Sequence, residues 1–352
     1  MGKRTMYLWS QVIAKENLWL AFKKAARGKR SKPVVADFEY NLEENLLRLR
    51  EELCSGEYRP GRYNSFPIHD PKRRLISAAP FRDRVVHHAL VNVIEPLFER
   101  KFIFDTYANR IGKGTHRALD RCTYFMRRYR YVLPLDVVQF FPSIDHAFLL
   151  ETLSSTICDE RVLDLCRKII ASGQGVLKDE YQMVYFPGDN LLSYLRPRGL
   201  PIGNLTSQFW ANVFLNPLDH FIKRELKCPA YLRYVDDMCL FSNDKAELHV
   251  WRTAVIHFLA GLRMTLHESS AQPRPCRTGV PFLGFQVYPE YRRLKRQKVI
   301  QAWWRLERLA EQRRNGEISI KDARIRVEAW VNHARYADSW GLRRAMLGKI
   351  HW

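Results

Sequence analysis

The chain lacks most of the signatures that would assign it to a familiar small-molecule or secreted class. Its seven cysteines, Cys54, Cys122, Cys158, Cys166, Cys228, Cys239 and Cys276, are odd in number and never stand in a CxxC spacing. Neither a structural zinc site nor a paired disulfide framework fits, and reduced thiols are expected. Nothing matches a GxxxxGK[ST] phosphate loop or a GxGxxG strand-turn-helix fingerprint, which argues against helicase and dehydrogenase chemistry. No apolar run reaches the roughly 18 residues of a membrane span, and the opening MGKRTMYLWS has no signal-peptide hydrophobic stretch. A soluble, intracellular protein with no membrane partner is therefore expected. Repeats of solenoid period are missing too. Acid is scarce: 37 Asp and Glu face 58 Lys and Arg, a formal charge of +21. An excess of that size repels itself in a compact chain unless a polyanion offsets it, so nucleic acid is the expected partner. A hydrophobic content of 46% over 352 residues is enough for a large core.

The order of elements can be read from periodicity and turn residues. Residues 1–33 form a basic lead segment, with Lys23, Lys24, Arg27, Lys29, Arg30 and Lys32 crowded before Pro33, which suits a flexible or helical arm touching phosphates. Phe38, Leu42, Leu46, Leu49 and Leu53 predict one amphipathic helix from Val34 to Leu53. The Pro-, Gly- and aromatic-rich stretch that follows predicts a strand pair turning near His69 to Lys72. After Pro80, Val85, Val86, Leu90, Val93 and Leu97 mark a long helix whose end Pro96 perturbs. From Val299 to Trp352 the spacing is helical again, rich in Arg and Trp, with a turn at Asn315 to Ser319.

Two short apolar runs end in acid. YVLPLDVVQFFPSID reads as a strand ending at Asp136, and LRYVDDMCLFS as strand, tight turn, strand with Asp236 and Asp237 at the turn. Alone, a DD dipeptide is ordinarily a solvated turn. A solvated turn does not explain apolar strands on both sides of two adjacent charges, because buried charge must be compensated. Nucleotidyl transfer needs two divalent ions about 3.5 to 4 Å apart, and magnesium favours carboxylate, phosphate and water oxygens. Asp136, Asp236 and Asp237 supply such ligands, with Asp236 the expected bridging carboxylate and Asp237 the more peripheral one.

These motifs resemble those of reverse transcriptases. YVDD is similar to their YxDD box and DVVQFF to their first catalytic motif. KRRLISAAPFRDRVVHHAL resembles the fingers segment that grips the incoming triphosphate, TYANRIGKGTHRAL the template-contacting motif after it, and PFLGFQVYP the primer grip. The resemblance runs along nearly the whole chain. It implies an α+β right-hand polymerase: fingers over 34–130, a palm over 131–290 built on a four-stranded antiparallel sheet flanked by helices, and a C-terminal helical thumb over 291–352. It further implies that Lys72 and Arg74 contact the triphosphate, that Val137 joins the three aspartates in the metal set, and that Arg110 lines the template or nucleotide path. Phe141, five residues after Asp136, falls at the aromatic gate that excludes a 2′-hydroxyl, although neighbouring Phe140 could exchange roles with it. Gly284 permits close backbone approach to the primer.

LPIGNLTSQFWANVF, with Ile202, Gly203, Ser207 and Gln208, and the ending AWVNHARYADSWGLRRAML, with Trp330, His333, Ala334 and Trp340, resemble the diversity-generating retroelement subgroup. That implies cDNA synthesis from a template-repeat RNA with errors at adenines, two Mg2+ ions with Mn2+ as an alternative, and a DNA or RNA primer. It also implies dNTP substrates, Ile202 and Gly203 against the template, Gln208 near the nucleotide, a small basic helical-bundle accessory protein, and a bacterial or phage-encoded cytoplasmic setting. The resemblance departs at Ser270, where related enzymes carry a lysine suited to protonate pyrophosphate; Arg274 and His267 are the alternatives. A defence-associated or intron-type reverse transcriptase would share every catalytic residue. A catalytically silent RNA-binding scaffold is the reading from another class, and the presence of all three aspartates weighs against it.

Overall fold

The computed structural model describes residues 7–69 and 73–350. In chain order the elements are α1 (Trp9–Val12), α2 (Lys15–Ala26), α3 (Pro33–Tyr40), α4 (Leu42–Ser55), β1 (Asn64–His69), β2 (Arg73–Ala78), α5 (Phe81–Glu99), α6 (Thr115–Arg128) and β3 (Tyr131–Leu135). They continue with α7 (Phe140–Ser143), α8 (His146–Ser154), α9 (Glu160–Ser172), α10 (Leu205–His220), β4 (Ala230–Tyr234), β5 (Asp237–Ser242), α11 (Lys245–Gly261) and β6 (Arg274–Pro275). The last are β7 (Val280–Phe282), β8 (Phe285–Val287), β9 (Arg292–Leu294), α12 (Arg296–Arg314), α13 (Ile320–Ala334) and α14 (Trp340–Lys349). They divide into two compact units. One takes the described residues up to Phe104 with Val137–Leu226 and Thr253–His267; the other takes Asp105–Asp136, Lys227–Arg252 and the described residues from Glu268 onward.

The first unit is mainly helical. α2 and α10 pack on α5, whose Val85, Val86, Ala89, Leu90 and Ile94 are fully or almost fully buried. Burying each of the valine, leucine and isoleucine side chains contributes about 1.5 to 3 kcal/mol before entropy is counted. This packing also sets how α5 ends. α5 runs through Pro96 to Glu99, because Ile94 and Phe98 on either side are held in the core; tertiary burial offsets the hydrogen bond that proline removes. The single helix expected over Val34 to Leu53 is two, α3 and α4, broken at Asn41 (φ −108°, ψ 43°). The basic lead segment is helical within its described part, with Leu18, Phe22 and Ala25 of α2 buried and Lys24 reaching outward to Asn92. β1 and β2 pair antiparallel as expected, Asn64 opposite Ala78 through His69 opposite Arg73, while the turn expected between them lies outside the described residues.

The second unit is built on a four-stranded antiparallel sheet in the order β4-β5-β3-β6. α6 covers one face. Its Leu119, Cys122, Phe125 and Met126 recur at helical spacing and pack with Val132, Leu232, Cys239 and Phe241 of the strands. A smaller sheet, β7-β8-β9, joins the same core through Phe282, Phe285 and Val287. α12 and α14 enclose a separate core of Ala302, Leu306, Ala310, Met346 and Ile350. All seven cysteines are free thiols. Among the described residues no helix is long and apolar enough to cross a membrane.

Candidate active site

Strand register decides where the three aspartates leave the backbone. β3 pairs with β5 from Tyr131 opposite Ser242 to Leu135 opposite Met238, so Asp136 follows directly beyond the last pair, alongside the start of β5 at Asp237. β4 pairs with β5 up to Tyr234 opposite Asp237, leaving only Val235 and Asp236 to make the turn. Asp136, Asp236 and Asp237 thus share one edge of one sheet, and all three are half-buried. Among the described residues no three His, Cys, Asp or Glu side chains converge into a metal-holding cluster. What the fold fixes is the common edge from which the carboxylates depart.

The turn is strained. Val235 has φ 57°, a left-handed conformation that a β-branched residue rarely adopts and that costs about 1 to 3 kcal/mol. Its surroundings hold it there. Arg233 on β4 is fully buried, and its guanidinium donates to the Val235 carbonyl at 3.0 Å. The Arg233 main chain is fixed as well, its N–H donating to the Asp105 carbonyl and its carbonyl accepting from Tyr107 N–H, each at 2.9 Å. Asp105 in turn takes both arms of Arg121 at 2.8 and 3.0 Å and the Tyr107 hydroxyl at 2.9 Å. Burial, and then the charge of Asp105, pushes the Tyr107 phenol up from its ordinary value, so it stays a neutral donor. A buried cation and a two-pronged ion pair therefore anchor the strained turn from beneath. Sequence reasoning missed Arg233 and Asp105. An arginine inside the apolar run AYLRYVDD was the available signal, since a charge there must have partners.

The remaining residues named from sequence fall in both units. Beside β4, Arg110 is half-buried and donates to the Thr106 carbonyl at 2.9 Å. Leu283 and Gly284 join β7 to β8 with φ 47° and 86°, the pair of positive values a tight primed hairpin turn demands. Arg274 donates to the Ser270 carbonyl at 3.3 Å. In the helical unit, Arg74 is exposed on β2 opposite Ile68, and Val137 is buried with its backbone bridged to Leu266. Phe140 is buried and Phe141 half-buried, so only the latter presents a ring surface outward. Lys72 lies outside the described residues.

The IGN segment is tied to β2. Ser77 N–H donates to the Ile202 carbonyl at 2.8 Å, and a Cβ at Gly203 (φ 111°) would come within 2.9 Å of the Ile76 side chain. Asn204, also missed from sequence, completes the joint. Its buried amide accepts from Ala79 N–H at 3.1 Å and donates to the carbonyls of Ser77 and Pro201 at 2.8 and 3.0 Å. Gln208, one turn into α10, is exposed. Asn204→Ala leaves one buried donor and two acceptors without that partner, each costing about 1 to 3 kcal/mol. A total loss of about 3 kcal/mol or more is expected in urea unfolding; an unchanged midpoint would remove Asn204 as the joint.

Residues 67–287 match the family described as reverse transcriptase (RNA-dependent DNA polymerase). Protein YkfC of Escherichia coli is 24% identical, over 72% of this chain and 74% of its own length. The group II intron-encoded protein LtrA of Lactococcus lactis is 23% identical over 60% of this chain, which spans about a third (33%) of it. Among solved structures, apo telomerase from Candida tropicalis, truncated from its C-terminal domain, overlaps with a TM-score of 0.48 at 11% identity. That overlap covers 67% of this chain and 55% of the other.

Proposed function

The chain belongs to the reverse transcriptase (RNA-dependent DNA polymerase) family, and from that premise we propose that it extends a primer 3′ end with deoxynucleotides along an RNA template. One observation carries the reading: a strained, internally anchored hairpin turn carries Asp236 and Asp237 at the sheet edge where β3 ends in Asp136. Three carboxylates on rigid strand ends form a hard-oxygen donor set, which suits magnesium better than softer metals. Two such ions, when bound, would activate the 3′ hydroxyl and neutralise the departing pyrophosphate. Asp136, Asp236 and Asp237, with Val137, would hold the ions, Asp236 as the more central and Asp237 as the more peripheral carboxylate of the turn. The Arg233 anchor keeps the turn from relaxing, so the backbone edge that bears the carboxylates is fixed before any ion arrives.

The roles assigned to the other residues follow the family motifs. Lys72 and Arg74 hold the triphosphate, Phe141 lies under the sugar, Gln208 approaches the nucleotide, and Arg110, Ile202, Gly203 and Gly284 meet template or primer. The four-stranded sheet falls within the proposed palm, 131–290, and the helices with their own small core within the proposed thumb, 291–352. Fingers over 34–130 and a basic arm over 1–33 complete the assignment. Primer extension on RNA by the purified chain, with and without a divalent cation, tests the reading.

The finer reading is error-prone copying in a diversity-generating retroelement, with a small basic helical-bundle accessory protein. Its support is Ile202, which cannot hydrogen-bond from its side chain where accurate relatives place a glutamine. Discrimination between base pairs rests on a few kcal/mol, so losing one polar contact matters, and template adenine, with the weaker pair, should suffer first. cDNA errors are expected to concentrate opposite adenine, and Ile202→Gln should change that rate more than it changes overall extension. Deep-sequenced cDNA with uniformly low error at all four bases would overturn it. Similarity to the Lactococcus group II intron-encoded protein favours a second reading, an intron-type enzyme. A template repeat beside a variable repeat near the gene separates the first from the second.

A further inference from the structure

The outward side of α6 carries a feature that the polymerase reading leaves unused. Arg117, Arg121, Tyr124 and Arg128 recur at spacings of four, three and four, one stripe of a helix opposite its buried apolar side. Tyr124 is 44% exposed. Guanidinium groups flank it, Arg121 at 5.0 Å and Arg128 at 5.3 Å from the ring, and Arg128 also donates to its hydroxyl at 2.8 Å. The exposed Arg127 donates to the Pro289 carbonyl at 2.7 Å, bringing the approach to β9 against the end of α6. Arg292 closes the same seam with bonds to Thr123 and Asp120 at 2.8 and 2.7 Å. A second exposed ring, Tyr291, stands on that approach, stacked on Tyr288 at 4.5 Å with Arg293 5.0 Å from its centre.

The C-terminal end of this stripe, from Tyr124 to Arg128, lies away from the carboxylates, whereas Arg121 belongs to the Asp105 anchor beneath the turn. α6 ends at Arg128, just before β3 begins at Tyr131, whereas Asp136 follows the other end of β3. Five residues at about 3.3 Å each put about 17 Å of strand between the two. Exposed flat rings among guanidinium groups fit unpaired bases, which stack, joined by phosphates, which arginine forks bind. A duplex hides its base faces, and an acidic protein has no need of two stacking platforms. The charge of +21 points the same way.

We propose that the C-terminal end of α6, with Tyr124, Arg127 and Arg128, together with Tyr291 and Arg293 is a second RNA site, binding an unpaired segment outside the stretch being copied. The inference rests on the RNA-copying reading for the source of that RNA, which is either a flank of the template or a separate strand.

The test uses the full chain with its primer–template channel saturated, and a short unpaired oligouridylate as probe. A Tyr124→Leu, Arg127→Gln, Arg128→Gln variant is expected to bind the probe at least about tenfold more weakly and to lose about 1.4 units of salt slope for two phosphate contacts. Extension of a minimal primer–template should be unchanged. Tyr124→Phe with Arg127→Lys and Arg128→Lys should retain most of the binding, which separates recognition from misfolding. If the variant weakens only a template with an unpaired flank, the flank is the ligand; if only a separate strand, a second RNA is. Either supports the site. Unchanged probe affinity in the variant overturns it, as does loss of polyglutamate binding with oligouridylate binding intact, which would mark an acidic protein partner instead. A chain that shows this Tyr124-dependent binding yet extends no primer contradicts the polymerase reading and supports the second site.

Discussion

Asp236→Asn is expected to slow primer extension by about a thousandfold while primed RNA still binds with its original affinity. The substitution keeps size and shape and removes one charge from the carboxylate edge. An ion held there contributes several kcal/mol to transition-state stabilisation, and each 1.36 kcal/mol is tenfold in rate. The loss should fall on kcat rather than on KM, as for an interaction made with the reacting groups alone. Asp237→Asn should cost less, since the proposed assignment gives Asp237 the more peripheral place in the donor set. Residual activity within about threefold of the parent for Asp236→Asn would end the metal assignment. The binding arm guards against a trivial explanation, since a collapsed turn would weaken RNA affinity as well.

The adjacent phenylalanines should separate just as clearly. Phe140 is 3% exposed while Phe141 is half-buried, and their rings meet edge to face at 5.4 Å. Phe140→Ala opens a core cavity and should cost about 3 to 5 kcal/mol of stability, with little effect on sugar choice in the protein that remains folded. Phe141→Ala should cost less stability and raise ribonucleotide incorporation about tenfold or more, the range one steric contact supplies. Paired urea titrations and mixed dNTP/rNTP extensions measure both. Were Phe140→Ala the variant that admits ribonucleotides, the gate would lie one residue earlier.

The motifs proposed as catalytic were legible because such chemistry requires local sequence: a strand, an acid and a turn within about ten residues. The pairing of β1 with β2, the Asp136 strand and the YVDD turn were therefore placed correctly from residue order alone. Less legible was whatever depends on partners far along the chain. Asn41 breaks a run whose apolar spacing continues through it, and α5 continues past Pro96 as far as Glu99 because residues on both sides are buried against α2 and α10. Arg233 and Asn204 sit in apolar surroundings, and their roles are set by bonds to residues more than a hundred positions away, Asp105 for the first and Ser77 and Ala79 for the second. A periodicity reading has no access to those pairings. The crowded lysines before Pro33 masked the apolar face of α2, which packs on α5 while Lys24 reaches outward to Asn92.

The central claim is tested most directly by one assay: purified chain, primed heteropolymeric RNA, four deoxynucleotides and magnesium, with the product sequenced. The account predicts cDNA complementary to the template, abolished by chelation and by Asp236→Asn. Tight binding of the primed RNA with no nucleotide added, in magnesium or in manganese, would contradict it.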